Sequence, residues 1–110
     1  MRQYVVDELR PAESKRIGEY LNENSELSDI TGLYWVNIPE ELYSGLQSEH
    51  EECKPYSAAI ELRDEYVKME LLIRSRNKIR CKCIAFATKD QRDFLLEFMD
   101  RLIEETDIKV

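Results

Sequence analysis

Glycine, proline and histidine are scarce in this sequence. Its 110 residues include three glycines, three prolines and one histidine. No Pro/Gly/Ser-rich stretch, internal repeat or low-complexity tract marks a linker. We therefore expect residues 1–110 to form a single globular domain, which at this length can bury one hydrophobic core.

Long hydrophobic runs are also missing. No stretch approaches the roughly 18 consecutive apolar residues of a transmembrane helix, and residues 1–8 lack the apolar core of a signal peptide. The sequence therefore predicts a cytoplasmic protein without membrane contact. Its three cysteines would stay reduced there, and an odd number cannot pair completely within one chain.

Several sequence features of enzymes and of nucleic-acid-binding proteins are missing as well. There is no Gly-rich phosphate loop and no G-x-S-x-G elbow, and no residue is assigned a catalytic role. The net charge of −7 disfavours broad binding to nucleic acids or anionic membranes, because a negative field repels both. We do not expect an enzyme, and a nucleic-acid partner is not favoured.

The residues that are present predict a two-layer α+β domain. A strand at 3–6 precedes an N-terminal helix at about 11–23, and a strand follows at 33–38. A short helix after Pro39 leads to a three-stranded antiparallel meander at about 56–86. Thr88 and Gln91 form a capping box that begins a long C-terminal helix at about 89–105. Its apolar stripe predicts that the helices pack on one face of the sheet.

Alternation of apolar and polar residues predicts the register of the meander. A two-residue turn at Asp64 and Glu65 places Leu62 opposite Val67 and Ile60 opposite Met69. A second turn at residues 76–78 places Ile73 opposite Cys81 and Leu71 opposite Cys83. This register puts both cysteines on the core face of the third strand.

All cysteine and histidine residues of the chain fall into two short segments, His50-x2-Cys53 and Cys81-x-Cys83. Three thiolates and one imidazole are the ligand set of a closed tetrahedral zinc site. Cysteines two apart on a regular strand, however, project about 7 Å from each other, too far to share a metal without a bulge.

The spacing of these cysteines therefore favours packing, with Cys81 and Cys83 as small core residues and no cofactor required. Zinc bound by His50, Cys53, Cys81 and Cys83 is the alternative. A third possibility is a nucleophilic Cys53 with His50 as its base, although Glu51 and Glu52 would oppose thiolate formation.

The sharpest charge asymmetry is a basic segment without acidic residues. It contains Arg74, Arg76, Lys78, Arg80 and Lys82, which leaves −12 on the rest of the chain. The predicted register places Arg74 opposite Arg80, and like charges in that position repel unless an anion lies between them. The alternatives are cations extended into solvent at a hairpin tip, an acidic protein partner, or an anion or nucleic-acid site.

Apolar residues are also expected on the sheet face opposite the helices. Tyr66, Leu72 and Ile84 would be exposed there among charged side chains, as in a protein contact. Trp35 is predicted to be a core residue, with Tyr34 on the other side of its strand. Together these features favour a non-catalytic binding or adaptor domain that contacts a protein partner or a second copy of itself.

Overall fold

An antiparallel sheet with helices on one face is the architecture of the protein in a computed structural model, which describes residues 2–108. Within these residues the strands are β1 (Gln3–Val6), β2 (Glu26–Leu27), β3 (Leu33–Asn37), β4 (Tyr56–Leu62), β5 (Val67–Glu70), β6 (Leu72–Ser75) and β7 (Ala85–Phe86). The helices are α1 (Pro11–Asn24), α2 (Gly45–Glu49) and α3 (Lys89–Glu105), and two 3-10 turns span Glu40–Leu42 and Glu51–Cys53. The predicted α+β class and both long helices are confirmed.

The strand order is β1-β5-β4-β3-β2, with β6 bound to β4 on one side and to β7 on the other. Ile60 lies opposite Met69 and Leu62 opposite Val67, as predicted from parity. On the other face of the same pair, the Lys68 amine lies 3.1 Å from the Glu61 carboxylate.

A bulge separates β5 from β6. Ile60 pairs with Met69 but Ser57 pairs with Arg74, so β5 and β6 together contain two more residues than the β4 segment they follow. The N–H of Leu71 donates instead to the Arg2 carbonyl, and the Leu71 carbonyl accepts from Ala87 N–H, both at 3.0 Å. Side chains alternate between the two faces of a strand, so an insertion of two residues leaves the core-facing side chains on the core face after the bulge.

The predicted register of the third meander strand is wrong by four residues. Ile73 lies opposite Ala85, not Cys81, and β7 is only two residues long. Residues 76–84 form a loop in place of the expected strand, so Cys81 and Cys83 are not strand residues. Arg74 consequently lies opposite Ser57 of β4 and not opposite Arg80.

Both long helices cover the same side of the sheet. The predicted capping box of α3 is formed, with Gln91 N–H donating to Thr88 Oγ1 at 3.2 Å. Leu95, Met99 and Leu102 are fully buried. Tyr20 of α1 packs edge-on against Phe98 at 6.2 Å between ring centroids. No helix among residues 2–108 has both the length and the apolar character needed to cross a membrane.

The two aromatic residues of β3 occupy the faces opposite to those predicted. Tyr34 is buried in the core, whereas Trp35 is half-buried on the outer face, opposite Ala59. There the Arg76 guanidinium stacks on the indole at 4.8 Å from its centroid and pairs with Glu26 at 3.1 Å. Trp35 is therefore a surface residue covered by a cation.

Candidate metal centre

His50 and Cys53 are positioned by α2 and the 3-10 turn that follows it. Ser44 and Gln47 form a capping box that begins α2, with Ser44 N–H donating to Gln47 Oε1 at 3.0 Å. The helix ends before His50, and Cys53 N–H then donates to the His50 carbonyl at 3.0 Å. Residues three apart in a helical turn lie on one face, so the two side chains point the same way.

Cys81 and Cys83 are brought together by a tight turn in the 76–84 loop. Ile84 N–H donates to the Cys81 carbonyl at 3.1 Å, and Cys83 N–H lies 3.5 Å from Cys81 Sγ in donor geometry. This turn removes the objection raised by the C-x-C spacing. On a strand the two thiols would point the same way about 7 Å apart, but in this turn they converge.

The two segments meet, and the four possible ligand atoms all lie within 4.8 Å of one another. His50 Nδ1 is 3.0 Å from Cys81 Sγ and 3.9 Å from Cys53 Sγ, and the Cys53 and Cys81 sulfurs are 3.4 Å apart. Cys53 and Cys83 are 1% and 2% exposed. His50 and Cys81 are half-buried, so the cluster lies just below the surface.

These separations are close to the edges of a tetrahedral metal site. With Zn–S of about 2.3 Å and Zn–N of about 2.0 Å, sulfurs lie about 3.8 Å apart and sulfur lies about 3.5 Å from nitrogen. The three observed separations differ from those values by about half an ångström or less. These three separations fit a tetrahedral site, and because all four atoms lie within 4.8 Å of one another the four residues could hold a metal ion.

A buried polar network anchors the cluster to the helices. Gln47 Nε2 donates to the Cys83 carbonyl at 3.1 Å, and Gln91 Nε2 donates to Gln47 Oε1 at 2.8 Å. On the other side, Ser75 Oγ donates to the Cys53 carbonyl at 2.5 Å. Gln91 was predicted as a capping residue, but its buried side chain and those of Gln47 and Ser75 were missed. No local sequence pattern identifies partners more than 20 residues apart.

The thiols of Cys81 and Cys53 differ in acidity. Hydrogen bonds from the Cys83 thiol and the Cys83 backbone N–H, with smaller contributions from Cys53 and His50, lower the pKa of Cys81 to about 6. Burial, together with the hydrogen bonds to Cys81 and Cys83, raises the pKa of Cys53 to about 12. Cys53 is therefore a poor nucleophile without a metal, which weakens the catalytic alternative.

The structure divides the five cations of the basic segment into two groups. Arg74 and Arg76 lie on the outer sheet face and are paired with acids, with Arg74 binding Glu70 through two contacts of 2.8 and 3.3 Å. Lys78, Arg80 and Lys82 are exposed on the 76–84 loop. Among residues 2–108 these three side chains make no ion pair or hydrogen bond.

The three residues predicted for the outer-face patch are half-buried rather than exposed. Tyr66 lies beside Lys68, whose amine is 5.5 Å from the ring centroid. Leu72 lies opposite Phe86, which is 45% exposed. Ile84 packs against the edge of the core.

Comparisons with protein-family models, with curated proteins and with solved structures found no match. The chemistry of the cluster is therefore inferred from its own geometry.

Proposed function

We propose that this protein is a small, zinc-stabilised binding domain without catalytic activity. In this proposal a zinc ion bound by His50, Cys53, Cys81 and Cys83 fixes the 76–84 loop against α2 and the sheet. The observation that carries the proposal is the convergence of the four ligand atoms within 4.8 Å.

The ligand set favours a structural zinc site. Three sulfurs and one imidazole nitrogen suit zinc, and four protein ligands leave no open position for water or substrate, as in structural sites. The Cys83 N–H directed at Cys81 Sγ is the kind of second contact that orients a metal-bound thiolate. Ligation through Nδ1 of His50 requires the tautomer that carries its proton on Nε2.

Packing alone accounts less well for the cluster. Core cysteines need apolar neighbours, whereas here an imidazole nitrogen lies 3.0 Å from a half-buried sulfur. Although the cysteines belong to or pack on the core, the hydrogen-bond contacts of the Cys53 and Cys81 sulfurs among residues 2–108 are with each other, with His50 Nδ1 and with Cys83 N–H. A divalent cation satisfies all four groups at once.

The first test is the zinc content of protein purified without an affinity tag or a chelator. We expect about one zinc per chain, and removal of the zinc by a strong chelator should lower the melting temperature by about 15 °C or more. That shift corresponds to the roughly 4 kcal/mol supplied by a ligand present at about a thousand times its Kd.

Variants separate ligation from general effects of substitution. Cys83→Ser should lose the zinc, whereas Lys82→Ser, which changes the exposed residue between the two cysteines, should keep it. Cobalt(II) added to metal-free wild-type protein, after the chelator has been removed, should give the absorption bands of tetrahedral thiolate coordination. This readout does not require a variant to fold. Less than about a tenth of a zinc per chain, with a melt unchanged by chelator, would leave the cysteines as core residues and defeat the proposal.

A further inference from the structure

A cavity of about 270 Å³ opens on the outer face of the sheet, next to the loop that the cluster holds. Its walls include Trp35 of β3, Arg74 and Arg76 at the end of β6, and Lys78, Ile79 and Ile84 of the loop. Cations and apolar side chains thus line one opening.

The charge of the cavity is incompletely neutralised. Glu70 and Glu26 pair with Arg74 and Arg76, but Lys78 has no acidic partner among residues 2–108. Nη1 of Arg76 is buried and donates to no acceptor among residues 2–108. A buried donor without an acceptor costs free energy, so an added carboxylate near this guanidinium is favourable.

The apolar walls and the size of the cavity narrow the choice of ligand. Ile79 is 92% exposed between Lys78 and Arg80, although an isoleucine gains free energy when it is covered. A volume of 270 Å³ lies below the roughly 300–1,000 Å³ of small-molecule sites. The cavity is better matched to one large side chain of a peptide than to a whole cofactor.

We propose that the cavity binds an acidic peptide segment of another protein, with one large apolar side chain inserted beside Trp35. One flanking carboxylate accepts from Nη1 of Arg76 and another pairs with Lys78, while Ile79 packs on the apolar residue. This inference rests on the proposed function in one respect, because the metal is what fixes the loop that forms one wall.

Electrostatics and geometry favour an acidic peptide over a nucleic acid. The chain carries −7 overall, and a continuous phosphate backbone would extend beyond the basic loop into that negative field. Base stacking would also require the indole face that the Arg76 guanidinium covers, whereas an apolar side chain in the cavity need only contact the indole edge. A short peptide with a few carboxylates meets the loop alone.

The position of Trp35, the sole tryptophan of the sequence, provides a direct assay. The probe is a synthetic peptide with a central phenylalanine flanked by two glutamates on each side, titrated into the zinc-loaded chain while tryptophan emission is followed. We expect a saturable change in emission. Replacing the central phenylalanine of the peptide by alanine should abolish the change.

Two variants with the same charge change test the position of the site. Lys78→Glu reverses an exposed cation in the cavity wall, and Lys15→Glu reverses an exposed cation on α1. Lys78→Glu should weaken peptide binding about fivefold or more, whereas Lys15→Glu should change it less than about twofold. Equal losses in both variants would show a general charge effect and overturn the site.

The remaining outcomes each decide the matter. No binding up to about 1 mM peptide overturns the proposal. So does binding of a single-stranded oligonucleotide in place of the peptide. Self-association that Lys78→Glu abolishes would make a second copy the occupant and exclude a separate partner.

The test of metal dependence distinguishes this inference from the proposed function. One zinc per chain without peptide binding defeats the peptide site alone. Equal peptide binding before and after zinc removal leaves the peptide site standing and defeats the part of the proposed function in which zinc fixes the 76–84 loop.

Discussion

At the scale of single residues, the thiols of Cys81 and Cys53 differ, because the pKa of Cys81 is lowered while that of Cys53 is raised. In the metal-free protein we expect Cys81 to be the first thiol alkylated by iodoacetamide, with its rate rising through about pH 6. Cys53 should stay unmodified at neutral pH. Mass spectrometry of the peptides after timed quenching measures both rates.

The lowered pKa of Cys81 also makes the stability of the fold depend on pH. The folded-state pKa of Cys81 lies below its ordinary value of 9.0, so its thiolate stabilises the fold fully above pH 9. That contribution decreases as the pH falls towards 6 and is gone below it.

Controls for the alkylation experiment follow from the same assignment. Loading with zinc should protect Cys81 from iodoacetamide, and unfolding in urea should make the thiols react at similar rates. Faster labelling of Cys53 than of Cys81 at pH 7 would contradict the assignment.

Trp35 and Tyr34 show where residue-level prediction fails. Alternation along β3 correctly separated them onto two faces, but which face is buried depends on how β3 pairs with β4. Both are aromatic, so composition alone does not decide. The choice of Trp35 for the core was wrong, and with it the wall of the outer-face cavity was missed.

At the scale of elements, α3 and the β4–β5 hairpin were predictable because their determinants are local. The capping box fixes where α3 begins, and parity fixes the hairpin register. The 76–84 loop was not predictable, because cations at every second residue have the period of a half-exposed strand. What the sequence pattern does not contain is the bulge at Leu71 and the convergence of Cys81 and Cys83 on His50 and Cys53.

Gln91 joins α3 to the cluster through Gln47, so its removal should affect both. Gln91→Met keeps the volume but removes the donor to the Leu42 carbonyl and one of the two donors to Gln47 Oε1, the other being Ser44 N–H. We expect the free energy of unfolding in urea to fall by about 2–3 kcal/mol, since buried polar groups would lose their partners.

The matched control is Arg92→Met, which introduces the same side chain at the next, exposed position of α3. It should change the free energy of unfolding by no more than about 0.5 kcal/mol. Equal effects of the two substitutions would show that the Gln47–Gln91 contact adds little.

At the scale of the whole molecule, the order of elements predicted two layers, and the structure has them. Metal removal should loosen the 76–84 loop more than the central strands of the sheet. Below the melting temperature of the metal-free protein, we expect hydrogen exchange to accelerate at Cys83 and Ile84 while β4 and β5 keep their protection. The loop has exposed side chains and depends on its ligands, whereas the central strands depend on the core.

Exchange followed by mass spectrometry of overlapping peptides, before and after chelation, measures this difference. The segment 95–105 of α3 serves as an internal reference, because it follows Gln91, the α3 residue that is linked to the cluster through Gln47. Uniform acceleration across the chain would show that the metal holds the entire fold and not chiefly the loop.

The short strands at two edges of the sheet affect how readily the protein aggregates at high concentration. β2 and β7 are two residues long, and the chain leaves the ladder beside β7 through a loop that carries Lys78, Arg80 and Lys82. Long unpaired edges invite strands of other molecules, whereas short edges beside like charges repel them. We therefore expect the loop that interrupts the sheet to disfavour the pairing of other molecules at the β7 edge.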